Sequence, residues 1–381
     1  MFDLEQYAIQ QLKYKENQKL LRVIHNYRND GFVKHDSEGK ALHDFTSNDY
    51  FGMANDAELV EKIRSSITNI GSGGSRLISG SSFFYKDFED TLAMLHQTEK
   101  SVIFGSGYLA SLGFYKVFCG KDDVVIADKN IHACHIDGIS LSGAKLIRFR
   151  HNDVRHLKDI MLQKRSKYSK CFILTESLFS MHGDFAPLSE ISNIASKYNC
   201  HLLVDDAHGF LISDELSKLD RDNLTIFGTL SKSVGSYGGY ICSSKNICDY
   251  LVSAARSLIY STALPEFVVM SGLESLKKLV LKKQSYQKDL HEKISFFCKN
   301  ISYSHTSSPI VIVEVGSIDK LNFIYNELCL EGFLVGKIRP PTAETPRLRL
   351  SISTKHSMSV LANLAEALIR NIELASLKFG G

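Results

Sequence analysis

Lys232 stands in Thr229-Leu230-Ser231-Lys232-Ser233-Val234-Gly235, directly after an apolar run. Asp205 and His208 end an earlier run in Val204-Asp205-Asp206-Ala207-His208-Gly209. A primary amine on a turn of small residues can hold an aldehyde cofactor as an imine. A carboxylate can keep a pyridine nitrogen protonated, which turns the ring into an electron sink for carbanions. Amine, carboxylate and imidazole together suit pyridoxal 5'-phosphate (PLP). Asp205 and Asp206 also fit metal ligands or helix caps. Only one of them can face a given side if the strand persists, because neighbouring side chains alternate faces.

Other residues fit the same chemistry. Gly105-Ser106-Gly107-Tyr108 follows a strand-like run and precedes a helix-like one, so its N–H groups can cradle a phosphate. His132 follows another run after a short turn, where an imidazole can stack on an aromatic cofactor or serve a structural role. Gly71-Ser72-Gly73-Gly74-Ser75-Arg76 matches neither nucleotide-binding fingerprint. Arg347 and Arg349 alternate on one strand and share a side; they suit a carboxylate clamp or an exposed edge. His132-Ala133-Cys134-His135 carries metal-ligand types, but a structural zinc site needs about four ligands. No second cluster matches, so no metal is expected.

These residues need a scaffold. Short, β-rich apolar runs at 101–104, 124–127, 145–149, 171–174, 201–204, 225–227 and 239–242 alternate with helical patterns such as 153–165 and 188–199. Near-continuous hydrophobicity marks strands buried on both faces, and the alternation predicts an α/β fold with a mostly parallel sheet and helices on both faces. Ligands in such sheets gather at the strands' carboxyl ends, where Asp205, His208 and His132 fall. Residues 4–25 read as an amphipathic helix packing on the body or on a partner. After 265 the pattern changes to a long helix (266–300), strand 309–315, helix 318–331, strands 333–335 and 347–353, and a closing helix (357–376), a small α+β domain. The expected division is an arm at 1–45, a large domain at 46–265 and a small domain at 266–381.

The bulk composition of the 381 residues is ordinary: 44% hydrophobic, 23% charged, with a formal net charge of +3. No basic block of nucleic-acid type appears, and Lys277-Lys278 with Lys282-Lys283 reads as a solvated helix face. Eight scattered cysteines without a Cys-x-x-Cys pair, and an opening unlike a signal peptide, predict a cytoplasmic protein. No apolar stretch reaches the length of a membrane span.

With these residues collected, the chain resembles the α-oxoamine synthases of the fold-type I PLP enzymes over residues 20–375. The carriers are Ser47-Asn48-Asp49-Tyr50-Phe51-Gly52, the 71–76 glycine stretch, Arg150-His151-Asn152-Asp153, Thr175-Glu176-Ser177-Leu178-Phe179-Ser180-Met181, the 205–209 stretch, the Lys232 turn, Leu258-Ile259-Tyr260-Ser261-Thr262, and Ile338-Arg339-Pro340-Pro341-Thr342. The last two resemble the oxononanoate-forming branch. The resemblance implies a seven-stranded sheet and a homodimer with its sites between subunits. It implies that Lys232 carries the cofactor and later moves the α-proton, Asp205 meets the pyridine nitrogen, His208 the ring oxygen, and His132 a ring face. Gly107, Tyr108, Ser180 and Thr229 would contact the phosphate and ring oxygen, with Thr262 reaching in from the other subunit and Glu176 supporting the inner shell. Asn48 and Arg349 would hold the substrate carboxylate, with Arg347 second choice, and Arg22 the acyl donor.

The implied reaction condenses L-alanine with pimeloyl-CoA or pimeloyl-acyl carrier protein to 8-amino-7-oxononanoate, an intermediate of biotin synthesis. Sibling synthases use glycine or another acyl thioester; an aminotransferase or a non-catalytic PLP-binding module is further away. Neither nucleic acid nor membrane is an expected partner. Tyr85, His182 and Phe210 depart from the usual pattern and bear on the shape of the substrate entrance.

Overall fold

The computed structural model describes residues 2–302 and 307–380. The chain forms two compact units, one of residues 48–180 and 184–288, the other of residues 1–47, 181–183 and 289–381. The N-terminal arm, expected to stand apart, belongs with the C-terminal residues. The boundary near 265 shifts to 288/289, because the apolar stripe of helix Glu266–Leu281 is buried in the larger unit. The single helix expected over 266–300 is two, Glu266–Leu281 and Lys283–Asn300.

The smaller unit starts with helix Leu4–Asn17, capped by the Asp3 carboxylate, which accepts from the N–H groups of Glu5 and Gln6. The helix ends well short of residue 25, and Lys19 takes a left-handed φ of 56°. None of its side chains is buried, so no packed face sustains it further. Strands β1 (Arg28–Asp30), β2 (Val33–His35) and β3 (Ala41–Asp44) follow as an antiparallel meander.

The larger unit is built on a seven-stranded sheet: β4 (Lys100–Phe104), β5 (Val124–Asp128), β6 (Lys145–Phe149), β7 (Cys171–Glu176), β8 (His201–Asp205), β9 (Leu224–Thr229) and β10 (Gly239–Ser243). Every apolar run singled out above is one of these strands. Their spatial order is β4-β10-β9-β8-β7-β5-β6, with β10 antiparallel to both neighbours and the other pairs parallel. Residues of β5, β7 and β10 are buried throughout, which needs helices on both faces. One face carries Gly107–Phe118, Ala133–Ser142 and Lys245–Ala254, joined to the sheet through Phe104, Phe114, Ile139, Phe227 and Leu251. The expected α/β class and mostly parallel sheet are what the chain forms.

Lys278 and Lys283 are less solvated than expected, whereas Lys277 and Lys282 are exposed as expected. Lys278 Nζ lies 2.7 Å from both Asp56 and Glu58 carboxylates, and Lys283 Nζ lies 2.6 Å from Asp214. This face ties the larger unit together.

The smaller unit ends with β11 (Ile310–Glu314), helix Ile318–Leu330, β12 (Phe333–Leu334), β13 (Gly336–Ile338), β14 (Arg347–Ser351) and helix Met358–Phe379. β12 joins β3 in parallel, while β11-β14-β13 form an antiparallel sheet. All eight cysteines are free, and seven of them are buried. Among the described residues no helix is long and apolar enough to cross a membrane.

Candidate active site

At the carboxyl ends of β7, β8 and β9 the register sets Glu176 beside Asp205 and Asp205 beside Phe227. These ends bound a cavity of about 200 Å³ in the larger unit. Its lining contains nine residues anticipated from the sequence: Gly107, Tyr108, His132, Glu176, Ser180, Asp205, His208, Thr229 and Lys232. Cys134, Phe227 and Tyr237 join them.

Each residue is placed by its element. Ser106 caps helix Gly107–Phe118 by accepting from the Leu109 N–H at 3.2 Å, which aims the helix's first free N–H groups at the cavity. Tyr108 donates its hydroxyl to Asp137. His132 caps helix Ala133–Ser142 through the Cys134 N–H while it lines the cavity. Lys232 lies in the turn joining β9 to β10. Gly235 closes that turn, its N–H donating to Lys232 O at 2.9 Å with φ of 68°. A Cβ on Gly235 would meet Ala54 N at 2.4 Å, so only glycine fits. Thr229 donates to Gly238 O at 3.0 Å, which pins the same turn.

The two adjacent aspartates separate as strand geometry requires. Asp205 faces the cavity with 11% of its side chain exposed, its Oδ1 accepting from the Ala207 N–H at 2.9 Å. Asp206 turns away and accepts from Ser177 Oγ at 2.5 Å. Burial pushes Asp206 up to about 8, opposed by the Ser177 hydrogen bond.

The cavity splits its charges. Burial works against ionised Asp205, but the His135 hydrogen bond, that imidazole's field, the Lys232 amine and the Ala207 N–H hold it down at about 2. Glu176, one strand away, goes the other way: burial and then the Asp205 charge push its carboxyl well above the usual range. The two neighbouring carboxyls are thus driven in opposite directions. Burial likewise lowers His132, with Lys232 assisting and Asp205 opposing, so its ring is neutral at pH 7.

Three contributors were not singled out from the sequence. His135, fully buried, places Nε2 2.8 Å from Asp205 Oδ2 and Nδ1 3.0 Å from the Tyr115 hydroxyl. Its only sequence signal was membership of the metal-like 132–135 run. Cys134, His135 and Asp205 bring ligand atoms within 4.8 Å of one another. Burial pushes the Cys134 thiol up to about 12. His135 also holds a hydrogen-bond network here, bonded to Asp205 and Tyr115. Tyr50, buried, sets its hydroxyl 2.7 Å from His208 Nδ1 and 3.5 Å from Asn48 Oδ1. Asn48 lies outside the cavity lining but reaches His208 through this hydroxyl.

Other anticipated residues lie elsewhere. Thr262 is exposed, bridged to Ser75 of the glycine-rich stretch, and does not line the cavity of its own chain. Arg22 and Arg349 belong to the smaller unit, where Arg22 Nη2 donates to Thr342 Oγ1 at 2.9 Å and Arg349 Nη1 to Ser351 Oγ at 2.9 Å. Arg347 pairs with Glu314 at 2.9 Å, directly across β11 and β14, so its charge serves the sheet. Tyr85 and Phe210 are core residues: Tyr85 accepts from the Leu264 N–H at 2.7 Å under the Arg76 guanidinium, and Phe210 stacks on His96.

A model of the family described as aminotransferase class I and II matches residues 40–368. The chain belongs to that family. Within it the chain is an α-oxoamine synthase, an acyl-transferring, carbon–carbon bond-forming enzyme that depends on PLP. The synthase is 36% identical over 345 residues to 8-amino-7-oxononanoate synthase of Methylobacterium sp. (strain 4-46), covering 89% of each chain. It is 35% identical over 390 residues to the putative 8-amino-7-oxononanoate synthase of Caulobacter vibrioides (strain NA1000 / CB15N), covering 99% of this chain and 100% of the other. Among solved structures, serine palmitoyltransferase of Sphingomonas wittichii aligns with a TM-score of 0.89 at 24% identity, covering 99% of this chain and 100% of the other. The 8-amino-7-oxononanoate synthase of Francisella tularensis aligns with a TM-score of 0.75 at 26% identity, covering 89% and 99%.

The synthase's cavity fits PLP on its own chemistry. The Lys232 amine, the Asp205 anion and the helix N-terminus at Gly107 offer one site each for an aldehyde, a protonated ring nitrogen and a phosphate. Glu176 Oε1 is buried without a hydrogen-bond partner, a polar atom that a ligand in the cavity can satisfy.

Proposed function

We propose that this synthase condenses L-alanine with a pimeloyl thioester to give 8-amino-7-oxononanoate, carbon dioxide and the free thiol. The observation carrying this reading is the full-length likeness to proteins of that name, set on a cavity whose amine, anion and helix N-terminus match the cofactor. PLP, when bound, supplies the electron sink that makes the amino-acid α-carbon acidic.

The chain's residues would do the rest. Lys232 would hold the cofactor aldehyde and, once displaced by the substrate amine, take and return the α-proton through its Nζ. Asp205 would keep the ring nitrogen protonated, its negative charge favouring that form. Neutral His132 would lie over the ring without adding a competing charge. His208, oriented by Tyr50, would donate to the ring oxygen, and Gly107, Tyr108, Ser180 and Thr229 would receive the phosphate and ring edge. Glu176 would support this shell through its carboxyl. Asn48 and Arg349 would fix the substrate carboxylate, and Arg22 would meet the acyl donor. A second copy of the chain would supply Thr262. Ile78, Phe83 and Tyr260 favour such a homodimer: each is at least 72% exposed in the single chain.

Purified protein with PLP, L-alanine and either pimeloyl-CoA or pimeloyl-acyl carrier protein is expected to release carbon dioxide and give the product mass. Product only from glycine or serine, or only from another acyl thioester, would replace this reading with a sibling synthase. Amino transfer to a keto acid without carbon dioxide would overturn the condensation altogether.

A further inference from the structure

We propose that His135 and Tyr115 form a positioning relay that holds the Asp205 carboxylate ready for the cofactor's ring nitrogen. The proposal rests on Asp205 being the ring-nitrogen partner and is independent of the acyl donor.

The carboxylate fixes the proton that faces it. Asp205 Oδ2 accepts, so His135 Nε2, 2.8 Å away, carries the hydrogen. On the far side of the ring, Nδ1 lies 3.0 Å from the Tyr115 hydroxyl, which continues the hydrogen-bonded chain. The Ala207 N–H holds the other carboxylate oxygen at 2.9 Å. Both oxygens are therefore fixed, and the plane of the carboxylate is set before any ligand arrives.

The ring carrying this relay cannot rotate away. His135 is fully buried, edge-on to Phe227 at 5.0 Å and 86° and to Tyr115 at 5.7 Å and 88°. Tyr115 is itself fully buried on helix Gly107–Phe118, whose N-terminus opens onto the cavity. One helix thus presents the phosphate end at its start and braces the opposite, ring-nitrogen end two turns later. An imidazole on the first turn of helix Ala133–Ser142 links the two.

A core packing role alone explains the apolar contacts of His135 but not its hydrogen bonds, one to the Asp205 carboxylate and one to the Tyr115 hydroxyl. The test separates these roles with two aldehydes, PLP and its analogue bearing carbon in place of the ring nitrogen (1-deazapyridoxal 5'-phosphate). Both offer the same aldehyde and phosphate, so the ratio of their Kd values isolates the ring-nitrogen contact. Equilibrium dialysis against the apoprotein gives both constants without substrate. His135→Leu is expected to weaken PLP about 10- to 100-fold, the range for removing a partner that orients a ligating group. The same variant should leave the analogue within about threefold. His135→Gln, which keeps an N–H donor, should recover most of the ratio, and Tyr115→Phe should lose a smaller part of it. Equal weakening of both ligands, or of neither, overturns the relay. Asp205→Asn distinguishes failure of the premise: a wild-type ratio there means Asp205 does not meet the ring nitrogen. A collapsed ratio there with an unchanged His135→Leu ratio sinks only the relay.

Discussion

Gly239→Ala tests the backbone packing directly behind Gly107 and Gly238 of the cavity wall. Gly239 opens β10 and pairs with Phe104 on one side and Thr229 on the other. A Cβ there would lie 2.2 Å from Gly107 N, 2.4 Å from Gly107 Cα and 2.4 Å from Ser106 C. All three atoms are main chain, and they sit more than an ångström inside the ~3.5 Å optimum for non-bonded carbon. No side chain can rotate to relieve the overlap, so either β10 or the turn at the start of helix Gly107–Phe118 must shift. Overpacking of this kind costs about 1–3 kcal/mol, and backbone overlap belongs at the upper end. Gly107→Ala is the control, because its Cβ meets only Gly228 O at 3.7 Å and Thr229 Cβ at 3.9 Å. Scanning calorimetry of the apoproteins should show Gly239→Ala melting several degrees below wild type and Gly107→Ala within about a degree of it. Dialysis should also show weaker phosphate-dependent PLP binding for Gly239→Ala. Equal melting temperatures for the two variants would refute the steric reasoning.

Three further outcomes follow from the charges and the amine. His151 rises to about 9: burial lowers it, but Asp128 and Asp184, each 2.9 Å from a ring nitrogen, more than offset this. Its stabilisation, up to about 3 kcal/mol at ~1.4 kcal/mol per unit, is complete below pH 6.5 and lost as pH rises toward 9; His151→Gln should flatten a urea-denaturation profile over that window. Asp206, raised from 3.8 to about 8, stays neutral in the fold while the unfolded chain ionises, so its contribution also falls as pH rises from about 4 to 8. Asp206→Asn should remove that decline, about 6 kcal/mol at most, and an unchanged slope counts against a neutral carboxyl. Lys232→Ala should abolish the visible absorbance of the PLP-loaded protein; a persistent band identifies another lysine as anchor.

The strands of the large sheet were legible because they are buried on both faces and so had to be apolar throughout. Their carboxyl ends then located Asp205, His208, His132 and the Lys232 turn. β1 to β3 were not legible: they are three or four residues long, and β1 is exposed throughout, which leaves no periodic pattern to read. The boundary at 288/289 escaped because it falls inside helix Lys283–Asn300, where the helical pattern runs on without a break. His135 and Tyr115 escaped for a different reason. Each is a polar residue on an otherwise core-facing helix surface, and only the tertiary fold reveals what its polar atom meets.

The position of β10 also bears on how the chain comes off the ribosome. Within the sheet β4 has β10 as its sole neighbour, and β10 lies nearly 140 residues further along. At ~5–20 residues per second, β4 waits on the order of 10 s with both edges unpaired while β5 to β9 are synthesised. An apolar strand with free edges is a template for wrong pairing. The interval in which β4 has neither edge paired therefore ends with the same hairpin that delivers Lys232.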